Sequence, residues 1–294
     1  MKFPFRIFRR RKFPVTAGMI SRQEQAWFRN YAAKLYTGRG AIVDLGCFVG
    51  STTICLAQGL EMSAAAKGAK IHAYDQFVWD ADFAQWWTAQ NLPEPAVTEN
   101  SFLPEFLKRT APFSDRIVLH QEDLAQTRWE NGPIEFLLVD AMKSPALAHK
   151  IALTFFSALT PGTSYLAHQD FAHVYTPWIH LLQYRLRVCF SLAADIPRSA
   201  SVVFKCEKQV RLESVAPLIF DSPAEIEATF DYSLTLVSDD KKPSIVAAHA
   251  FAWFERGEFR RAQQVVEANP WGSASLSGEL EMITDLIRQK LGGG

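Results

Sequence analysis

The strongest constraint on the fold is a regular alternation of short apolar runs with helical patterns over about residues 20–205. The runs are short and rich in branched and aromatic side chains, as buried parallel strands are. We predict strands at 41–45, 71–74, 116–120, 134–139, 164–167, 188–193 and 200–205. The pattern predicts an α/β fold with a mostly parallel sheet and helices on both faces. The last two runs, joined by a short turn at Pro197, are expected to add an antiparallel edge.

Helical patterns fill the intervals between these runs. Ser21 and Glu24 form a capping-box pattern, which predicts that a helix begins there. Further helices are predicted from Ser51 to about Ala65, over roughly 146–159 and around 175–185. The long segment 79–113 is either a lid or substrate wall or a pair of extra packing helices, and both interpretations can hold. Its aromatic residues include Trp79, Trp86, Trp87, Phe102 and Phe106.

Acidic residues stand at the carboxyl ends of several predicted strands. In open parallel sheets the ligand binds at this edge, because the strand ends and their loops form a crevice there. We therefore expect the acids at these positions to converge on one cleft. They are Asp75, Glu122, Asp123, Asp140 and Asp170.

A glycine turn follows the first strand. Gly46 allows the backbone to pass close to a ligand, and Gly50 allows the next helix to begin tightly. The spacing is not Gly-x-Gly-x-x-Gly, so a pyrophosphate site is poorly supported. Asp75 follows at the next strand end, where an acid can accept hydrogen bonds from both ribose hydroxyls. Glu122 and Asp123 at the third strand end are suited to an adenine amino group.

As a set, these motifs resemble those of class I S-adenosylmethionine-dependent methyltransferases. The run from Asp44 to Gly50 resembles the first motif, with Phe48 where a glycine is usual. Asp75 and Glu122-Asp123 resemble the second and third motifs, and Asp140 the fourth. The resemblance implies a Rossmann-like, seven-stranded, mostly parallel sheet that binds S-adenosylmethionine. The implied cofactor-binding residues are Asp44, Gly46, Cys47, Phe48, Gly50, Ser51, Thr52, Asp75, Glu122, Asp123 and Asp140.

Within that class the sequence is similar to the macrocin O-methyltransferase-like group. The stretches that carry the likeness are 73–77, 139–144 and 168–171. The likeness implies methylation of a hydroxyl on a sugar or a glycosylated small molecule. It also implies a divalent metal such as Mg²⁺, with Asp140 and Asp170 as ligands. Gln169 stands where a further metal-binding aspartate is expected, so metal use is left open.

Three side chains are candidates for the catalytic step. His168 is the first candidate base, because histidine titrates near neutral pH and this one ends a predicted strand. The alternative is a core histidine bonded to backbone. Asp170 is predicted to orient His168, bind metal or act as the base, and Lys143 is a further candidate. His173 and His180 are expected on helix faces rather than as ligands.

Charge is distributed unevenly along the chain. Residues 1–12 carry six basic side chains and no acid, although lysine plus arginine and aspartate plus glutamate each total 31. The rest of the chain is therefore acidic, which disfavours a nucleic-acid partner. Residues 1–15 are either a frayed tail or a peripheral contact with a membrane surface or polyanion. No apolar run is long enough to predict a transmembrane helix.

Four cysteines are present without any Cys-x-x-Cys pair, which favours a reducing, cytoplasmic location over a zinc or disulfide scaffold. The sequence divides into a basic arm (1–15), the methyltransferase-like domain (16–206), a connector (207–242) and a helical cap (243–294). The cap is similar to one tetratricopeptide-type helix pair, followed by a final helix over about 276–291.

Two other functions stay open at this point. The chain could be a non-catalytic module that uses the methyltransferase fold for assembly. A nicotinamide-dependent oxidoreductase is the weaker alternative, because the Gly-x-Gly-x-x-Gly pattern is missing and extra acids stand at 122–123. The sequence does not decide whether the protein forms oligomers.

Overall fold

A computed structural model describes residues 16–272 and 278–292. The strands are β1 (Ala41–Leu45), β2 (Ile71–Asp75), β3 (Ile117–Gln121), β4 (Ile134–Val139), β5 (Tyr165–His168), β6 (Phe190–Asp195) and β7 (Val202–Cys206). The helices are α1 (Arg22–Asn30), α2 (Ser51–Leu60), α3 (Ala81–Ala89), α4 (Leu103–Thr110), α5 (Pro145–Phe155), α6 (Pro177–Arg185), α7 (Pro223–Leu234), α8 (Lys242–Glu255), α9 (Phe259–Glu267) and α10 (Glu279–Gly292). The basic arm at 1–15 lies outside the described residues.

The seven strands form one sheet in the order β3-β2-β1-β4-β5-β7-β6. The first five pair in parallel, and β7 runs antiparallel to both of its neighbours. This confirms the predicted α/β fold and mostly parallel sheet. The last two strands form the predicted antiparallel edge, with β7 paired to β5 and β6 outermost.

Local sequence signals explain where the main helices begin. Ser21 and Glu24 form the predicted capping box at the start of α1. The Ser21 hydroxyl accepts from the backbone N–H of Glu24, and the Glu24 carboxylate accepts from that of Ser21. Ser144 caps α5 through the backbone N–H of Leu147, and Pro145 occupies the first turn, where no donor is needed. Helix α2 ends at Leu60, earlier than the predicted end near residue 65.

The C-terminal helices share a core with the sheet. Leu166 of β5 and Phe204 of β7 belong to the same apolar cluster as Phe230 of α7, Trp253 of α8 and Ile283 of α10. Helices α8 and α9 form the predicted helix pair, and α10 packs against both. In the described part of the chain, no helix combines the length and apolar character needed to cross a membrane.

Buried polar side chains lie between β5 and helices α6 to α8. His180 Nδ1 is 3.0 Å from Ser233 Oγ. His168 on β5 and Gln183 on α6 are fully buried, and Gln183 is the polar side chain that neighbours the His168 ring. Burial lowers the pKa of His168 to about 4 and that of His180 to about 3. A proton on either ring would therefore place an uncompensated charge in this interface.

These two histidines predict an acid-sensitive stability. Their pKa values are lower in the folded protein, so the stability that they contribute is fully present above about pH 6.5 and is lost as the pH falls towards 4. For His168 alone the loss is about 2 kcal/mol by pH 5. Urea unfolding between pH 7.5 and 4.5 measures it, with wild type compared against His168→Gln. The variant is expected to show a shallower pH dependence of the free energy of unfolding than wild type. An unchanged slope in His168→Gln would contradict this origin.

Candidate functional site

The turn after β1 is built on left-handed backbone. Gly46 and Gly50 have φ values of 82° and 86°, and Phe48 between them has a φ of 46°. A Cβ on Gly46 would stand 2.6 Å from the carbonyl oxygen of Asp140, so no larger residue fits there. The turn therefore brings β1 directly against the chain that leaves β4.

The Asp75 carboxylate holds this turn from the neighbouring strand. Its Oδ2 accepts from the backbone N–H of Phe48 at 2.9 Å, and its Oδ1 accepts from that of Phe77 at 2.8 Å. Phe77 also has a positive φ, of 57°. A left-handed residue other than glycine costs about 1–3 kcal/mol. Asp75 thus offsets the strain of two such residues, and each carboxylate oxygen keeps a second lone pair for a ligand.

Phe48 joins the cleft to the aromatic segment at 79–113. Its ring stacks on Phe83 of α3 with centroids 4.9 Å apart, and it meets Trp86 and Phe102 edge-on at 5.5 and 5.1 Å. Helices α3 and α4 are therefore packing helices, and Phe83 is also a wall of the cleft. Both interpretations of this segment hold at once.

Asp44 ties the end of β1 to the start of α2. Its Oδ2 accepts from Thr52 Oγ1 at 2.7 Å and from Thr53 Oγ1 at 2.6 Å. Its Oδ1 is buried without a partner among the described residues. Burial raises the pKa of Asp44 to about 6, against the lowering effect of the two threonine hydroxyls.

The acids after β3 lie at the far end of the cleft. Glu122 Oε2 accepts from Thr127 Oγ1 at 3.0 Å, and Asp123 Oδ1 accepts from the backbone N–H of Ala125 at 2.9 Å. The backbone N–H of Glu122 donates to the Asp75 carbonyl at 3.1 Å. These bonds fix the loop beside Asp75, as the sequence predicted for converging strand ends.

Two adjoining cavities form the cleft at the carboxyl edge of the sheet, of about 300 and about 230 Å³. They share Gly46, Asp75, Phe83, Asp140 and Lys143. The first extends along Cys47, Ser51 and Thr52 to Asp170, and the second reaches Glu122 and Asp123. Five strand-end acids of the prediction thus line one continuous site. They are Asp75, Glu122, Asp123, Asp140 and Asp170.

Lys143 bridges two of these acids. Its Nζ lies 2.7 Å from Asp140 Oδ1 and 2.5 Å from Asp170 Oδ2. Desolvation tends to lower the pKa of Lys143, but the two carboxylates raise it above its ordinary value. Burial also raises the pKa of Asp140, and the Lys143 ammonium opposes that rise. A charged ammonium has no lone pair, so Lys143 does not serve as a proton acceptor here.

The predicted base His168 is not in the cleft. Its side chain is fully buried in the apolar core, with its ring about 6 Å from those of Phe171 and Phe204. A catalytic base must reach the proton that it removes. Because side chains alternate along a strand, His168 at the end of β5 faces the core. Asp170, two residues later in the loop, reaches the cleft instead.

The metal prediction does not fit the residues present. Asp140 and Asp170 face each other as predicted, but the Lys143 ammonium stands between them. Mg²⁺ requires near-octahedral oxygen ligands. The ammonium occupies one oxygen of each carboxylate and would repel a metal ion in the same place. In the described part of the chain, no group of three or more histidine, cysteine, aspartate or glutamate side chains is placed to hold a metal ion.

Several residues that line the site were not among those assigned to it from the sequence. Gln169 lines the first cavity, and its buried Oε1 has no partner in the described chain. His173 lines this cavity too. It was predicted on a helix face but lies in the loop before α6. Met19 and Ile20 form another wall. Their segment is held where Ser51 Oγ and Arg109 Nη1 donate to the Ala17 carbonyl at 2.5 and 2.9 Å.

Comparison with known proteins supports the fold. No protein-family model and no curated protein sequence matches the chain. Among solved structures, the O-methyltransferase NovP is 13% identical, with a TM-score of 0.51 over 67% of this chain and 86% of that chain. An rRNA methylase from Streptococcus thermophilus is 14% identical over 65% of this chain and 100% of that chain, with a TM-score of 0.41. At 13% identity the likeness to NovP concerns the fold alone. This chain therefore has the Rossmann-like α/β fold of class I methyltransferases, extended by C-terminal helices.

Proposed function

We propose that this protein is an S-adenosylmethionine-dependent methyltransferase that acts on a hydroxyl of a sugar or a glycosylated small molecule. The observation that carries the proposal is the arrangement of one cleft at the strand ends. The Gly46 turn and Asp75 stand at its centre, Glu122 and Asp123 at one end, and the acids of β4 and β5 at the other. This is the arrangement that the sequence motifs implied for the cofactor and the acceptor.

The charge of the cleft suits a cationic cofactor. Among the described residues, six acids and one lysine, Lys143, line the two cavities. S-adenosylmethionine carries a sulfonium, an ammonium and a carboxylate, and therefore one net positive charge. The unpartnered Oε1 of Gln169 supplies a further acceptor for an ammonium group. The residues present therefore fit this cofactor. The acids are Asp75, Asp80, Glu122, Asp123, Asp140 and Asp170.

The chain's residues would divide the binding between them. Asp75 keeps lone pairs for ribose hydroxyls while it holds the turn beneath them. Glu122 and Asp123 stand where the adenine end would lie. When bound, S-adenosylmethionine supplies an electrophilic methyl group. The protein's task is then to align the acceptor in line with that group, exclude water and receive a proton.

Asp170 is the proton acceptor that this geometry favours. Its carboxylate lies in the cleft with 17% of the side chain exposed, and one oxygen pairs with Lys143. The other oxygen is free to accept the hydroxyl proton as the carbon–oxygen bond forms. The Lys143 ammonium would hold the carboxylate in position and balance its charge.

The walls of the first cavity favour a small, neutral acceptor. Phe48 and Phe83 offer aromatic faces, and Met19 and Ile20 add apolar surface. Pockets of this kind bind small molecules through apolar contact and a few placed polar groups. The surrounding acids would repel a polyanion such as RNA.

Cofactor binding is the first test. Purified protein is expected to bind S-adenosylmethionine in calorimetry at micromolar affinity, and Asp75→Asn is expected to weaken binding at least about tenfold. The amide would place an N–H against one of the two backbone donors, so both the turn and the ribose contact suffer. Thermal unfolding checks that the variant is folded.

Asp115→Asn, an exposed substitution before β3, is the matched control and should leave binding unchanged. If neither wild type nor control binds the cofactor, the methyltransferase proposal fails and a non-catalytic role replaces it. Equal binding by wild type and Asp75→Asn would remove Asp75 from the cofactor site.

The second test concerns the proton acceptor. With an acceptor found by screening glycosides for methylated product, Asp170→Asn is expected to lower kcat by about 10²–10⁴-fold, the usual contribution of a general base. Its affinity for S-adenosylmethionine should stay within a few-fold of wild type. His168→Gln should retain most of the rate, because that ring lies outside the cleft. The reverse ranking of the two variants would restore His168 as the base.

A further inference from the structure

Lys143, Asp140 and Asp170 form a compact ionic cluster at the acceptor end of the cleft. The ammonium contacts one oxygen of each carboxylate, at 2.7 and 2.5 Å. The carboxyl groups are mostly covered, with 21% and 17% of each side chain exposed. With both carboxyl groups ionised the cluster carries one net negative charge, and burial, which raises the pKa of Asp140, moves it towards neutrality.

The backbone around the lysine is fixed on both sides. The N–H of Asp140 donates to the Leu45 carbonyl at 2.9 Å, and the N–H of Lys143 donates to the Ala141 carbonyl at 2.9 Å. Trp178 Nε1 donates to the Met142 carbonyl at 2.7 Å. The lysine stem therefore starts from a constrained loop, which brings the ammonium back over Asp140.

We propose that the Lys143 ammonium is a built-in replacement for a divalent cation between Asp140 and Asp170. It occupies the position where a metal bridging the two carboxylates would lie, and it supplies positive charge there without a dissociable ion. An ammonium has three N–H donors, and the carboxylates use two of them. The third is left for the acceptor oxygen, a part of the inference that rests on the proposed methyl transfer.

The physical consequence is a site that excludes metal while the lysine is present. A divalent ion would have to displace the ammonium from both carboxylates, or lie a few ångströms from it and be repelled. Removal of the amine would leave two facing carboxylates with Gln169 beside them in the cavity wall. Carboxylate and amide oxygens are ligands that Mg²⁺ and Mn²⁺ accept.

The test uses Mn²⁺ alone as the probe, followed by its electron paramagnetic resonance signal in the full chain. Wild type is expected to show no bound Mn²⁺ at this site, and Lys143→Ala is expected to gain one bound Mn²⁺ per chain. Adding Asp170→Asn to Lys143→Ala should abolish the gain. Lys67→Met, an exposed lysine substitution, is the matched control and should behave as wild type.

A tight Mn²⁺ site in wild type that Asp170→Asn removes would overturn the proposal. A folded Lys143→Ala without any gain would do the same. Lys143→Met, which keeps the length of the stem, serves as a second variant if Lys143→Ala is unfolded by circular dichroism. Metal binding is measured without cofactor or acceptor, so this result stands apart from the methyltransferase test. If the Mn²⁺ results are as expected but the protein does not bind S-adenosylmethionine, only the proposed function is overturned.

Discussion

The cleft depends on the Asp75 carboxylate, which holds two turns at once. Phe48 and Phe77 both adopt left-handed backbone, and both donate their N–H groups to this one side chain. Without that acceptor the strain in the two turns would have no local compensation. The position of Phe48 in turn sets the aromatic contacts with α3 and α4. One half-buried acid therefore links the strand ends, the glycine turn and the wall of the cleft.

Uneven charge is the second organising feature of the site. In the described part of the chain, the two cavities are lined by six acids and one lysine, and that lysine is placed between two of the acids. The remaining negative charge suits a positively charged cofactor and opposes a polyanionic acceptor. The same lysine explains why the acids implied as metal ligands can face each other closely without a metal. The negative charge of the cleft thus favours the proposed cofactor, disfavours a polyanionic acceptor and holds the Lys143 ammonium between the two acids.

The C-terminal helices are joined to the site rather than appended to the domain. The Nε2 of His173 in the cleft wall lies 3.5 Å from Glu279 Oε1 of α10. The Tyr175 hydroxyl donates to Met282 Sδ at 3.1 Å. Behind this loop, the buried histidines and the shared apolar core join β5 to α6, α7 and α8. The loop that carries Asp170 is consequently supported from both the sheet and the helices.

The sequence by itself determined the alternation of strands and helices, the parallel sheet and the convergence of its terminal acids. These features follow from local patterns, because β1 and β4 are mostly apolar runs and parallel strands direct their carboxyl ends to one edge. It also identified Gly46, Asp75 and Asp140, since each follows a recognisable strand. The order β5-β7-β6 was not determined, because strand pairing depends on contacts distant in the chain.

Only the tertiary structure decided which residues near a strand end reach the cleft. His168 and Asp170 are two residues apart, yet one faces the core and the other lines the site. Met19 and Ile20 line the cleft, and Lys143 contacts Asp170, although these residues lie in segments that share no sequence motif. Such contacts arise from packing between helices, strands and loops. The direction of a side chain at the end of a strand depends on the residue at which the hydrogen bonding between strands ends. The sequence therefore specified the chemistry available at this edge, and the fold selected the residues that can use it.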